Sequence, residues 1–207
     1  MPPARKRKAP APATPPRRPP PRLEFRSPVD GAWYDARVAV QGRALRVMYE
    51  EFTEEQDEWY DPAIHLSSPR DVAALRARFR ARSPPLDDAR CRDLRPGDPL
   101  CVACALAGDE LKYYDAVLES VSPAAHESVD GEERCACRFS VRWAGGPLAG
   151  GREEVGVEKV CCVRSTPVRD PVLAEFLDGV TKSLGDGEDR AAAAASSQSS
   201  GAVSLSP

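Results

Sequence analysis

Hydrophobic residues alternate with polar ones at Val38 and Val40 and again at Leu45 and Val47, with Gln41-Gly42 between them. That period of two predicts a pair of strands with one buried face, joined by a turn. Three aromatic residues fall outside the alternation. Tyr34 stands just ahead of the first strand, Tyr49 ends the second, and Phe52 follows in an acidic stretch. Trp33 and Trp59 are expected beneath the sheet, where a Trp of a small β domain usually packs.

The pattern then repeats. Trp33-Tyr34-Asp35-Ala36 is echoed by Tyr113-Tyr114-Asp115-Ala116, and Val47-Met48-Tyr49 by Val141-Arg142-Trp143. Tyr34 and Tyr49 are 15 residues apart but Tyr114 and Trp143 are 29 apart, so the second copy carries an insertion, near Ser122 to Arg134. A strand over Pro99 to Ala105, announced by Arg95-Pro96-Gly97-Asp98 and followed by a turn at Asp109-Glu110, opens the second copy. Glu154 to Val163 closes it. The fold expected is mainly β: two small barrels in tandem.

Between the copies, Ser68-Pro69-Arg70-Asp71 is a helix start, with Ser68 as cap and Pro69 in the first turn. Val72, Leu75 and Phe79 share one side of a helix that stops before Ser83-Pro84-Pro85 and is expected to pack between the barrels. Its arginines, Arg80 and Arg82 among them, are read as a solvated face. A second helix follows Asp170-Pro171 with Leu173, Phe176, Leu177 and Val180. The domain reading is a disordered basic Pro-rich tail (1–22), a first barrel with the linker helix (23–83), a second barrel (84–164), a C-terminal helix (165–180) and a disordered tail (181–207).

Charge sharpens this picture. Residues 1–22 hold seven basic residues and no acid, and Arg5-Lys6-Arg7-Lys8 reads as a nuclear import signal. Residues 23–180 hold 29 acidic and 20 basic residues. So acidic a module suits a basic peptide better than nucleic acid. No apolar run of membrane-spanning length and no secretory core is present, so a nuclear, membrane-free protein is expected. No P-loop, nucleophile elbow or dinucleotide fingerprint appears, and a non-enzymatic role is expected.

Seven cysteines without an export signal point to thiols or metal ligands. His126, Cys135 and Cys137 lie in or beside the insertion, which has too little apolar content to hold itself in place. With Cys91 as the fourth ligand they would form a closed structural zinc site. Cys101-x-x-Cys104 competes for that role, but positions three apart on a strand face opposite ways. Tyr34, Tyr49 and Phe52 could meet at a barrel rim as a cage for a methylated ammonium, each ring contributing about 0.5 to 2 kcal/mol, with Glu50, Glu51, Glu54 and Glu55 as an acidic rim. The same rings would also serve as barrel core.

Gly31-Ala32-Trp33-Tyr34-Asp35, the block from Val47 to Phe52, Asp57-Glu58-Trp59, and the spaced set Cys91, His126, Cys135 and Cys137 carry a resemblance to the SAWADEE domain family of plant chromatin proteins. It implies a tandem Tudor-like fold with zinc in the second half, and reading of the histone H3 tail methylated at lysine 9 in RNA-directed DNA methylation and gene silencing. By position it implies Tyr34, Tyr49 and Phe52 as the methyl-lysine cage, Glu24 and Asp35 as H3 tail contacts, and the four Cys/His residues as zinc ligands. Tyr49 stands where the family is expected to carry Phe. Two rival expectations are an adaptor subunit that docks chromatin-remodeller or RNA polymerase subunits, and nucleic-acid binding through the basic arm.

Overall fold

A computed structural model of the chain describes residues 23–106 and 110–199. The basic segment 1–22, residues 200–207 and Asp109 of the expected turn lie outside the described residues. The first unit is built from β1 (Leu23–Arg26), β2 (Trp33–Gln41), β3 (Ala44–Tyr49) and β4 (Glu58–Tyr60), then helices α1 (Pro62–His65) and α2 (Pro69–Arg76), and β5 (Phe79–Ala81). The second contains β6 (Pro99–Ala105), β7 (Leu111–Ser122), the hairpin β8 (Glu127–Val129) and β9 (Glu132–Arg134), then β10 (Arg138–Trp143), β11 (Arg152–Val155) and β12 (Val160–Cys162). Helix α3 (Pro171–Ser199) ends the described chain.

All strand pairs are antiparallel, in the order β11-β10-β7-β2-β1-β5, with β3 and β4 branching from β2 and β6 and β12 from β7. Each curled sheet closes on its own apolar core. Leu23, Phe25, Leu45 and Val47 belong to one, Val102, Leu118, Phe139 and Val141 to the other. Among the described residues the two sheets meet at a single pairing, Trp33 with Tyr113. Those are the opening residues of the two sequence copies, so the repeated motif also forms the junction. The copies match in register as well: Ala36 pairs with Tyr49 and Ala116 with Trp143. Glu50 N–H donates to the Asp35 carbonyl as Ala144 N–H does to that of Asp115.

Several expectations are corrected. Tyr34 is the second residue of β2 rather than a residue ahead of it. Ser68 caps α2 through its hydroxyl, which accepts from Asp71 N–H at 3.2 Å. The helix ends at Arg76, however, because Phe79 to Ala81 pair with β1 and bury Phe79 against Phe25, ring centroids 4.8 Å apart. Strand pairing satisfies the same backbone groups and gives Phe79 a core partner, which a longer helix would not. Helix α2 also packs on the first barrel together with α3, through Val72 and Leu75, and not between the barrels. Trp59 is 44% exposed, its ring covered by the Arg46 guanidinium at 5.3 Å.

Helix α3 runs on to Ser199, past residue 180 where the C-terminal helix was expected to end. Leu173, Leu177, Val180 and Leu184 keep a helical spacing against the first core, and Ala191 to Ala195 follow with the highest helix propensity of any residue.

Candidate functional site

Tyr34 and Ala36 are two apart on β2 and share a face, and Ala36 pairs directly with Tyr49 on β3. Tyr34 and Tyr49 are therefore diagonal neighbours on the inner face. The small Ala36 leaves them room to approach. Phe52 comes three residues after Tyr49, in the loop that follows β3. The ring centroids lie 5.6 Å (Tyr34 to Tyr49), 5.3 Å (Tyr34 to Phe52) and 5.7 Å (Tyr49 to Phe52) apart, with interplanar angles of 77°, 75° and 89°. Three rings close to mutually perpendicular form a corner. Tyr49 is its floor, 8% exposed and backed by Phe25, while Phe52 is 40% exposed at the open side.

Both tyrosines are braced by carboxylates. Tyr34 Oη donates to Asp30 Oδ2 at 2.6 Å, and Lys112 Nζ from the second barrel donates to the same oxygen at 2.9 Å. Burial, with the Asp30 carboxylate beside it, raises the Tyr34 phenol well above its ordinary range, and burial beside Glu58 does the same for Tyr49. Both rings are thus neutral at physiological pH. Burial acts to raise the Asp30 carboxyl, but hydrogen bonds from Tyr34, Lys112 and Ala32 outweigh it and hold the group below its usual value. The Asp30 bond raises Lys112 in turn.

Beside the corner, a cavity of about 370 Å³ runs between the barrels. Tyr34, Phe52, Glu24 and Asp35 line it from one side, Lys112 and Tyr113 from the other. Glu24 and Asp35 face each other across β1 and β2, an arrangement that like charges disfavour. Two arginines offset it. Arg80, paired with Glu24 across β1 and β5, binds it at 2.6 Å, and Arg82 binds Asp35 at 3.0 Å. Glu24 further accepts from the backbone N–H and the hydroxyl of Ser83 at 2.8 and 3.0 Å. Arg80 also reaches Asp115 at 2.7 Å and stacks on the Trp33 ring at 3.7 Å. It is thus a half-buried organiser of the cleft, not the solvated arginine expected from helical spacing.

The matching corner of the second barrel is closed. Tyr114 and Trp143 occupy the places of Tyr34 and Tyr49, both almost fully buried. Gly146, three residues after Trp143, stands where Phe52 does. Its φ is +75°, and a Cβ there would lie 2.4 Å from Tyr114 Cδ1. Backbone therefore covers the ring, and only the first barrel keeps an open aromatic corner.

Cys91, His126, Cys135 and Cys137 converge, the expected fourth ligand from outside the insertion joining the three beside it. Their ligand atoms all lie within 4.8 Å of one another. Cys91 comes from a short turn of 3-10 helix, Asp88–Asp93, and the other three from the ends of the β8–β9 hairpin. His126 Nε2 lies 3.2 Å from Cys91 Sγ and 3.5 Å from Cys137 Sγ. A tetrahedral zinc with sulfurs at about 2.3 Å sets its ligand atoms about 3.8 Å apart, so the cluster can hold a metal ion. The donor chemistry agrees. The Ala124 N–H holds the Cys137 thiol down at about 7, whereas burial and the adjacent sulfurs push Cys91 up to about 12. Three such thiols ionise together only around a cation. Glu133 takes the His126 Nδ1 side, which leaves Nε2 to face the cluster. Cys101 and Cys104 stay apart: Cys104 joins the second core, and Cys101 faces Arg80 and Cys161.

Asp30, Arg80, Lys112 and Asp115 were not singled out from sequence as site residues. Asp115 left a trace there as the counterpart of Asp35 in the repeat, and Arg80 only as a solvated arginine.

Two joined antiparallel barrels, one with an aromatic corner and the other with a Cys/His cluster able to hold a metal ion, define a tandem β module. The SAWADEE domain family model matches residues 20–161, and the chain belongs to that family. Among solved structures the chain is similar to the SHH1 SAWADEE domain in complex with an H3K9me3 peptide, at 24% identity and TM-score 0.50, over 70% of this chain and 98% of that one. It is also similar to a selenium-substituted Arabidopsis thaliana SHH1 SAWADEE double mutant, at 26% identity and TM-score 0.49, over the same shares. Among curated proteins none matches significantly.

Proposed function

We propose that this chain reads the histone H3 tail methylated at lysine 9, with Tyr34, Tyr49 and Phe52 as the cage around the methylated ammonium. The observation that carries this reading is the three-walled corner, open at Phe52 and set beside an acidic cleft. A methylated ammonium is large and weakly hydrated, so electron-rich ring faces replace its water at little cost. Support also comes from the SAWADEE domain of the same fold that was solved with an H3K9me3 peptide. Glu24 and Asp35 would face the peptide from the cleft wall, already balanced by Arg80 and Arg82, so that they add polarity and shape more than free charge. The Cys/His cluster holds zinc in a structural role, and the chain acts without catalysis, in the nucleus, in RNA-directed DNA methylation. The excess of acids over bases in residues 23–180 favours a basic tail as ligand and disfavours nucleic acid.

Titration of methylated H3 peptide against the chain and its Tyr34→Ala variant tests this. Loss of one wall is expected to weaken binding about tenfold. Equal affinity in the two proteins would remove the cage assignment.

A further inference from the structure

Tyr34 is the one wall of the corner whose outer end is tied to the other barrel. Its hydroxyl donates to Asp30 Oδ2, the oxygen that also receives Lys112 Nζ. Asp30 is itself fixed, because its Oδ1 accepts from Ala32 N–H at 3.0 Å in the turn before β2. Lys112 is near the start of β7, next to Tyr113, which forms the barrel junction with Trp33. Its ammonium also contacts Glu110 at 3.3 Å. Phe52, by contrast, stands on an exposed loop, and only Tyr49 is buried on its own account.

We propose that Asp30 and Lys112 are positioning residues for the cage, an ion pair across the two barrels that holds the Tyr34 ring at the angle a methylated ammonium needs. This rests on the reader function proposed above and adds a role for the second barrel in methyl-lysine discrimination. A ring clamped at its hydroxyl loses little freedom when the ligand enters, and preorganisation of that kind appears as affinity. With Lys112 removed, Asp30 is left half-buried without its cation and draws in water or shifts, and the phenol loses its fixed acceptor. The effect is specific to methylation. A lost positive charge changes attraction for every basic peptide alike, whereas a misplaced ring matters only to the methylated side chain.

The test is the ratio of affinities for lysine-9-methylated and unmethylated H3 peptide, measured on the full chain by calorimetry or fluorescence anisotropy. Lys112→Met is expected to lower the ratio about fivefold, within what one ring contributes, and Lys112→Arg to restore most of it. Tyr34→Phe keeps the ring and the Asp30–Lys112 pair but removes the hydroxyl, and it should reduce the ratio by a similar factor. Adding Lys112→Met to Tyr34→Phe should then change nothing further. An unchanged ratio in Lys112→Met, or an equal further fall in the Tyr34→Phe background, overturns the positioning role alone. A wild-type chain that binds both peptides equally overturns the reader function and this inference with it.

Discussion

Gly146 and Phe52 occupy matching positions in the two copies, and that one difference separates an open corner from a closed one. Gly146 needs its positive φ and the space that a Cβ would take from Tyr114. Gly146→Ala is therefore expected to destabilise the fold by roughly 2 kcal/mol, read as a lower urea midpoint, while methyl-peptide affinity stays near wild type. Trp59 shows how a residue type alone misleads. Its outward ring is covered by Arg46, which Asp57 holds at 2.6 Å, so a cation–π contact stands in for the burial expected. Asp30 carries a pH dependence. Its depressed pKa means that its stabilising contribution is complete above the ordinary carboxylate range and is lost as pH falls through the folded value. Methyl-lysine discrimination is accordingly expected to be flat from pH 6 to 8, and a sharp loss on that interval would implicate another group.

At the scale of elements, the insertion and its clip are the clearest case. The β8–β9 hairpin is exposed along its whole length and turns through Asp130 (φ 55°) and Gly131 (φ 85°). It has no core of its own. Its anchors are the Cys/His cluster and the 2.6 Å bond from Cys135 N–H to Asp88. Cys135→Ala is expected to abolish metal retention and loosen the second barrel while the first keeps its structure, a result that metal analysis and hydrogen exchange would read separately. Because the thiols must lose protons to bind and His126 must present a bare Nε2, metal affinity should rise with pH across the neutral range. An affinity independent of pH would argue against thiolate ligation. Helix α2 illustrates the opposite outcome. Its start was readable from Ser68 and Pro69, but its end was not, because pairing with β1 took Phe79 to Ala81 into a strand.

For the whole molecule, charge and topology act together. The basic segment 1–22 and the acidic remainder of the sequence give a net charge of −3 for the chain, and the cleft lies between barrels joined, among the described residues, by one strand pairing. Deleting residues 1–22 is expected to leave methyl-peptide binding intact or slightly stronger, with affinity falling as salt rises. Loss of binding on deletion would instead point to the basic arm as the ligand site. At that junction Trp33 pairs with Tyr113 and donates to Asp115, while Lys112 reaches Asp30.

Much of this was legible in the order of residues. Alternation, the repeated aromatic-Tyr-Asp-Ala motif, the length of the insertion and the grouping of His126, Cys135 and Cys137 are local or periodic properties, so sequence alone marked out the two β units, three members of the Cys/His cluster and the three rings. Which rings stay open, which carboxylates are balanced by which arginines, and that Lys112 braces Tyr34 were decided only on folding. Those contacts join residues some 50 to 80 positions apart, as Glu24 with Arg80 and Asp30 with Lys112. No spacing rule connects such pairs, because their proximity follows from how two curled sheets meet at Trp33 and Tyr113.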